Sequence, residues 1–200
     1  MKNKGVRMIF GVFLTSIILL MCISVNLNST KGETLPKTKE VSDSNKIIEY
    51  IDTSINDYEI TDELKEYARE EVIKNKDEIN KVYELINSYR SEKNIKSLKY
   101  DEDLSLLATI RAIEMAIYNK FAHVRPNGSS YSSILDELNI NTIASGENIA
   151  YGYYDIEELC EAWKDSEGHY INLMNYKYTK TGIGYFKYND TIYWVQLFIK

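Results

Sequence analysis

The chain reads as an α+β protein, a three-layer α-β-α sandwich around a central antiparallel sheet. Three observations predict this. Gly182 to Tyr188 and Thr191 to Ile199 are rich in β-branched and aromatic residues, and Asn189-Asp190 between them is a two-residue hairpin turn. In the second of these strands Ile192, Trp194, Gln196 and Phe198 fall on one face and Tyr193, Val195, Leu197 and Ile199 on the other. Both faces are apolar, so helices must cover the strand on both sides. Upstream, apolar residues recur at three and four, which supplies those helices.

The elements follow in order. Residues 1–27 form a signal peptide or N-terminal anchor. Lys2, Lys4 and Arg7 precede an apolar run from Met8 to Val25, long enough to span a bilayer if it is not cleaved. Residues 28–45 form a polar linker without period, and 46–81 a helical extension. In that extension Ile47 to Ile60 allows a short helix. Thr61 then caps a second one, with Asp62 and Glu63 in its first turn. Leu64, Tyr67, Ala68, Val72 and Ile73 give it one buried side.

Residues 82–200 make up the main domain. A stripe of Ile79, Val82, Tyr83, Ile86 and Tyr89-Arg90 marks a helix ending near Asn94. Asp101 caps the next one. Its stripe of Leu104, Leu107, Ala108, Arg111, Ala112, Met115 and Ala116 is lined with small residues, which predicts close packing on the sheet. Pro126 stops any helix, Asn127-Gly128 turns the chain, and Ser133 to Leu138 forms a short helical segment. Gly146 to Ala150 is extended. Asp155 and Glu158 make a capping box for a helix carrying Ile156, Leu159, Cys160 and Trp163. That helix closes around Ser166-Glu167-Gly168, and a further apolar turn follows His169.

Charge narrows the partners. The chain carries 24 Lys+Arg and 30 Asp+Glu, a net of −6. Without Lys2, Lys4 and Arg7 it keeps 21 basic residues against 30 acidic ones, a net of −9. Such a surface repels phosphate backbones and anionic headgroups. Nucleic acid is therefore excluded as a partner, and the membrane is met only through the N-terminal segment. Beyond the leader Cys160 stands alone, so no internal disulfide forms there, and its helical position predicts burial rather than reactivity.

Only two histidines are present, His123 and His169, and they bracket Glu147. A series of short motifs surrounds them: Asn87-x-x-Arg90, Leu98 before Asp101-x-x-Leu104, Ala108 with Ala112, and His123-x-Arg125-x-x-Gly128. Gly146-Glu147-Asn148-Ile149-Ala150, Trp163-x-x-Ser166-x-Gly168-His169-x-x-Asn172 and Tyr193-Trp194-x-Gln196-x-Phe198 complete it. In this order they resemble the CAP superfamily, which includes cysteine-rich secretory proteins, antigen 5 and plant pathogenesis-related group 1 proteins. The likeness is to the compact bacterial branch with SCP-like domains. The resemblance implies a sandwich with a central cleft holding two histidines and usually two acids, able to bind a divalent metal in some members. It assigns His123, Glu147 and His169 to that cleft, with Asn148 and Ser166 beside them. Where many relatives carry the second acid, three residues after the helix tryptophan, this chain has Ser166.

Two histidines and one carboxylate can supply three metal ligands, so His123, Glu147 and His169 are the candidate set for zinc or a similar divalent ion. A Ser166, His169 and Glu147 trio lacks any nucleophile-elbow motif. Tyr151, Tyr153, Tyr154, Tyr170, Tyr176 and Tyr178 cluster near the site; tyrosine rims suit glycans or peptides, but a chain rich in tyrosine throughout carries such clusters without any function. The preferred expectation is therefore an exported module, secreted or anchored at the cell surface, that binds a small ligand, glycan, lipid or peptide. The alternative is a metal-assisted hydrolase acting on a peptide or cell-envelope substrate. No catalytic residue is assigned.

Overall fold

The computed structural model describes residues 59–200. The signal or anchor segment, the polar linker and the helix expected before Ile60 lie outside them. The elements are α1 (Asp62–Lys74), α2 (Lys76–Glu92), β1 (Lys99–Tyr100), α3 (Glu102–Ile117), a 3-10 helix (Tyr131–Leu138), β2 (Ser145–Tyr151), α4 (Ile156–Asp165), α5 (Glu167–Leu173), β3 (Lys180–Tyr188) and β4 (Thr191–Ile199). Local signals set most of the boundaries. Thr61, Asp101 and Asp155 each accept a backbone N–H from three residues on, opening α1, α3 and α4. Asn189 and Asp190 both take positive φ, 45° and 60°, as the tight β3–β4 hairpin requires.

The sheet runs β1-β3-β4-β2. β3, β4 and β2 are antiparallel neighbours, and the two-residue β1 adds a parallel edge beside β3. One core lies between the sheet and α3, with α1 and the 3-10 helix around it. It holds Ile149, Phe186, Val195 and Leu197 from the strands. The other lies against α2, α4 and α5 and takes Ile183, Trp194 and Phe198, with Trp163 and Leu173 from the helices. The alternation of β4 thus divides two cores, as its sequence demands.

The close packing of α3 comes from the strand as much as from the helix. A Cβ at Gly182 would stand 2.2 Å from the backbone of Leu104 and Ser105, and one at Gly184 2.2 Å from that of Ala108. Glycine at these positions lets α3 lie directly on β3. The helix is consequently buried nearly all round rather than along a stripe, from Leu104 through Ala116. Other details differ from the periodicity. Ile73 is 68% exposed, because α1 presents Leu64, Ala68 and Glu71 to the core instead. α2 starts at Lys76 and runs unbroken to Glu92. The segment after Pro126 winds as a 3-10 helix, closed by Asn139 in the left-handed region.

Two buried residues follow the expected pattern. Cys160 is fully buried, and burial pushes its thiol up to about 12, so it is inert packing. Arg90 is fully buried and donates to the carbonyls of Lys96, Leu173 and Asn175. It pins the turn after α5 to α2.

Candidate functional site

Strand β2 places Glu147 and Asn148 on opposite faces of the sheet, since successive residues of a strand alternate. Glu147 pairs with Leu197 and turns toward α3; Asn148 pairs with Gln196 and turns toward α5. His123 meets the Glu147 side chain, and the main-chain carbonyl of His169 accepts from Asn148.

On the α3 side Glu147 joins a buried ionic chain. Its Oε1 accepts from Arg111 Nε at 2.9 Å and its Oε2 from His123 Nδ1 at 2.6 Å. Arg111 also bonds Glu114 and the carbonyl of Ala122, and Arg125 reaches the other oxygen of Glu114 through Nε and Nη2 at 3.0 and 2.9 Å. The side chains of Arg111, Glu147 and Glu114 are 0, 0 and 1% exposed. Burial works against the charge on Arg111, yet the carboxylates of Glu147 and Glu114 outweigh it and raise the guanidinium pKa. Arg125 also stands 3.6 Å from Glu137, which extends the chain outward. His123, with a side chain 55% exposed, is its more exposed end. Its Nδ1 stands on the Glu147 carboxylate, and its Nε2 lies at the other end of the ring.

On the α5 side Asn148 is fully buried and donates to the carbonyl of His169 at 3.3 Å. Asn172 donates to both Asn148 Oδ1 and the carbonyl of Glu147, at 2.9 and 3.1 Å. Asn148 is therefore a fastener between strand and helix rather than a ligand-facing group. His169 is half-buried with its Nδ1 covered and unpartnered. Burial first, then the nearby charge of His123, pushes its pKa below the ordinary histidine value. Ser166 is an extended residue between α4 and α5, and Asp165 and Glu167 on either side of it are exposed.

A surface depression of about 430 Å³ opens beside the end of β2. Phe121, Tyr151, Tyr153 and Trp163 provide its aromatic walls, and Ser166 and His169 its polar groups. Among the described residues no Lys, Arg, Asp or Glu lines it. Of the tyrosines expected near the site, Tyr151 and Tyr153 line this depression. Tyr178 is instead buried against Phe198, with its hydroxyl on the carbonyl of Ser145.

The residues singled out from the sequence are thus partly joined. His123 and Glu147 touch; His169 and Ser166 share the depression; Asn148 ties the two regions together. Among the described residues no group of three His, Cys, Asp or Glu side chains is arranged to hold a metal ion. The donor chemistry of Glu147 explains why it does not fit that role here. Both its oxygens are occupied, one by a guanidinium and one by an imidazole N–H. Sequence reasoning missed the roles of Glu114 and Arg125. The available signal was Arg111 within an apolar helical stripe, because a buried arginine needs acceptors for its guanidinium, and carboxylates are one kind.

An α-β-α sandwich around this four-stranded sheet defines the class of fold. The chain belongs to the cysteine-rich secretory protein family, CAP, whose family model matches residues 83–198. It is 37% identical over 119 residues to YkwD, an uncharacterized protein of Bacillus subtilis (strain 168), a match covering 60% of this chain and 46% of that protein. With YlbC, an uncharacterized membrane protein of the same organism, identity is 34% over 119 residues, 60% of this chain and 33% of YlbC. The matched region is less than half of either relative. Among solved structures, an extracellular protein containing a SCP domain from Bacillus anthracis aligns with a TM-score of 0.58 at 28% identity. It covers 62% of this chain and 41% of its own. An outer surface protein from Borrelia burgdorferi aligns with a TM-score of 0.59 at 24% identity, over 63% of this chain and 94% of that one, a likeness of fold alone.

Proposed function

We propose that this protein is an exported binding module that takes an uncharged ligand in the depression beside β2. One observation carries the reading: the described residues that line the depression are aromatic, aliphatic or uncharged polar side chains, with no Lys, Arg, Asp or Glu among them. Such a lining suits a ligand with apolar faces and a few hydrogen-bonding groups. A charged ligand would lose its hydration there without gaining a counter-charge. His169 fits this reading, since its lowered pKa keeps the imidazole neutral around pH 7. Export is part of the proposal. It draws support from the basic start and apolar run of the leader and from the extracellular relative in Bacillus anthracis.

Trp163 lines the depression and gives a direct readout. The full-length protein should change its tryptophan fluorescence on titration with members of a set of uncharged N-acetylated oligosaccharides, capped peptides and acyl alcohols. Ser166→Arg, which puts a cation into the depression, should weaken that response at least tenfold. If Ser166→Arg responds like the parent, or only charged ligands act, the depression is not this site.

A further inference from the structure

We propose that the open end of strand β2 docks an extended, uncharged peptide segment by strand addition at Tyr151. This rests on the reading of the neighbouring depression as a ligand site and names its ligand class.

The argument begins with hydrogen-bond direction. Among the described residues β2 is an edge strand, next to β4 alone. In an antiparallel pair, residues alternately exchange main-chain bonds with the neighbour and point those groups away from it. Gly152 donates to Ile192 and Lys200 to Ala144, so the even-numbered residues of β2 face β4. The N–H and C=O groups of Ser145, Glu147, Ile149 and Tyr151 therefore point outward.

The protein covers this edge one carbonyl at a time. Tyr178 Oη donates to the carbonyl of Ser145 at 2.8 Å, Asn172 Nδ2 to that of Glu147 at 3.1 Å, and Trp163 Nε1 to that of Ile149 at 3.4 Å. The series stops at Tyr151. Among the described residues no donor stands on the Tyr151 carbonyl and no acceptor on its outward N–H. An uncovered pair of main-chain groups on an edge strand is a template for another strand. Gly152, at φ 80°, turns the chain away directly afterwards, so the template is short.

Chemistry beside the template indicates what docks. A residue set antiparallel against Tyr151 would accept from its N–H and donate to its carbonyl. The next carbonyl of the segment along the strand would accept from the outward N–H of Ile149. The donor from Trp163 already fills the Ile149 carbonyl, which limits the contact to these three bonds. Opposite Tyr151 the incoming side chain meets the ring pair of Phe121 and Tyr151, whose centroids lie 4.7 Å apart. The adjacent side chain comes opposite Ala150, on the face where Trp163, Ser166 and His169 line the depression. An uncharged side chain is what that lining accepts. A saccharide offers no alternating N–H and C=O groups at strand spacing, whereas a peptide does.

The test uses full-length protein and a pool of acetylated, amidated, fluorescein-labelled pentapeptides, Thr-Val-X-Val-Thr, with X any uncharged residue. Binding is followed by fluorescence anisotropy, and hydrogen exchange at the Tyr151 amide by NMR. Members of the pool should bind and slow exchange at Tyr151 at least tenfold at saturation. N-methylation of the peptide nitrogen that faces the Tyr151 carbonyl should weaken binding at least tenfold. Tyr151→Pro, which removes the outward N–H but no bond to β4, should do the same, while Tyr151→Phe binds like the parent. The N-methyl comparison leaves the protein unaltered, so it decides even if the proline variant folds poorly. Equal binding of the N-methyl peptide, or unchanged exchange at Tyr151 with every peptide at millimolar concentration, overturns strand addition. If oligosaccharides then still change Trp163 fluorescence, the depression stands as a ligand site and only the peptide assignment falls.

Discussion

Replacing Arg111 with methionine tests whether the ionic chain behind β2 holds the domain together. The guanidinium serves the carboxylates of Glu147 and Glu114 and the carbonyl of Ala122, and neither carboxylate has more than 1% exposure. Removing one partner from a buried ion pair costs about 3–5 kcal/mol, because the remaining charge is stranded away from water. Arg111 supports two carboxylates, so Arg111→Met belongs at the upper end, about 4–5 kcal/mol. Domains are stable by only about 5–15 kcal/mol, which makes this a large fraction of the total. At about 4 °C per kcal/mol for a domain of this size, melting should fall by roughly 15–20 °C. A second variant separates lost charge balance from lost packing. In Arg111→Met with Glu147→Leu the stranded carboxylate is gone, while Glu114 keeps Arg125. The double variant should therefore be more stable than the single one by at least about 1 kcal/mol. Melting followed by circular dichroism, with urea titration as a check, measures both. A single variant within about 3 °C of the parent, or a double variant no better than the single, would refute the account of a water-excluded, coupled chain.

Two further outcomes follow from packing and from titration. Gly184→Ala drives a Cβ to 2.2 Å from the α3 backbone, so it should cost more than the usual overpacking of about 1–3 kcal/mol. Gly168→Ala in α5 meets open space and should be neutral or stabilising by up to about 1 kcal/mol; equal effects in chemical denaturation would contradict the contact. His169 has a folded pKa below its unfolded value near 6.5. The unfolded chain therefore binds more protons between these two values. Its contribution is most favourable above about pH 6.5, declines as pH falls toward the folded pKa, and levels off below it. His169→Gln should flatten the stability profile on the acid side of pH 6.5. An unchanged slope in urea titrations from pH 7.5 to 4.5 would count against the buried imidazole.

The fold was legible where local chemistry decides it. Thr61, Asp101 and Asp155 announce helix starts by their own side-chain bonds, and β4 states in its alternation that both sheet faces are covered. What escaped was set by distance along the chain. Gly182 and Gly184 look like ordinary strand residues until α3, nearly eighty positions earlier in sequence, is laid on them. Glu147 was visible as a site residue, but its oxygens are claimed by Arg111, 36 residues away, and His123, 24 residues away. No pattern in one sequence dictates which buried cation meets which carboxylate. The two-residue β1 also falls below the length at which periodicity carries information.

The polar segment from Gly146 to Ala150 therefore has a structural task that a motif comparison does not convey. Glu147 binds β2 to the α3 layer through Arg111, and Asn148 binds it to the α5 layer through His169 and Asn172. An edge strand has one strand neighbour and would otherwise be free to fray; here consecutive side chains anchor it to both layers. The same anchoring brings Trp163 and Asn172 onto its outward carbonyls, which blunts the edge against unwanted pairing. Glu147 can serve this purpose only while its oxygens stay with Arg111 and His123. A role as metal ligand would require surrendering the contact that fixes the strand. Glu147, which the two histidines bracket in sequence, is already committed to the scaffold. That leaves Tyr151, one step past the anchored stretch, as the part of the strand that can meet another molecule.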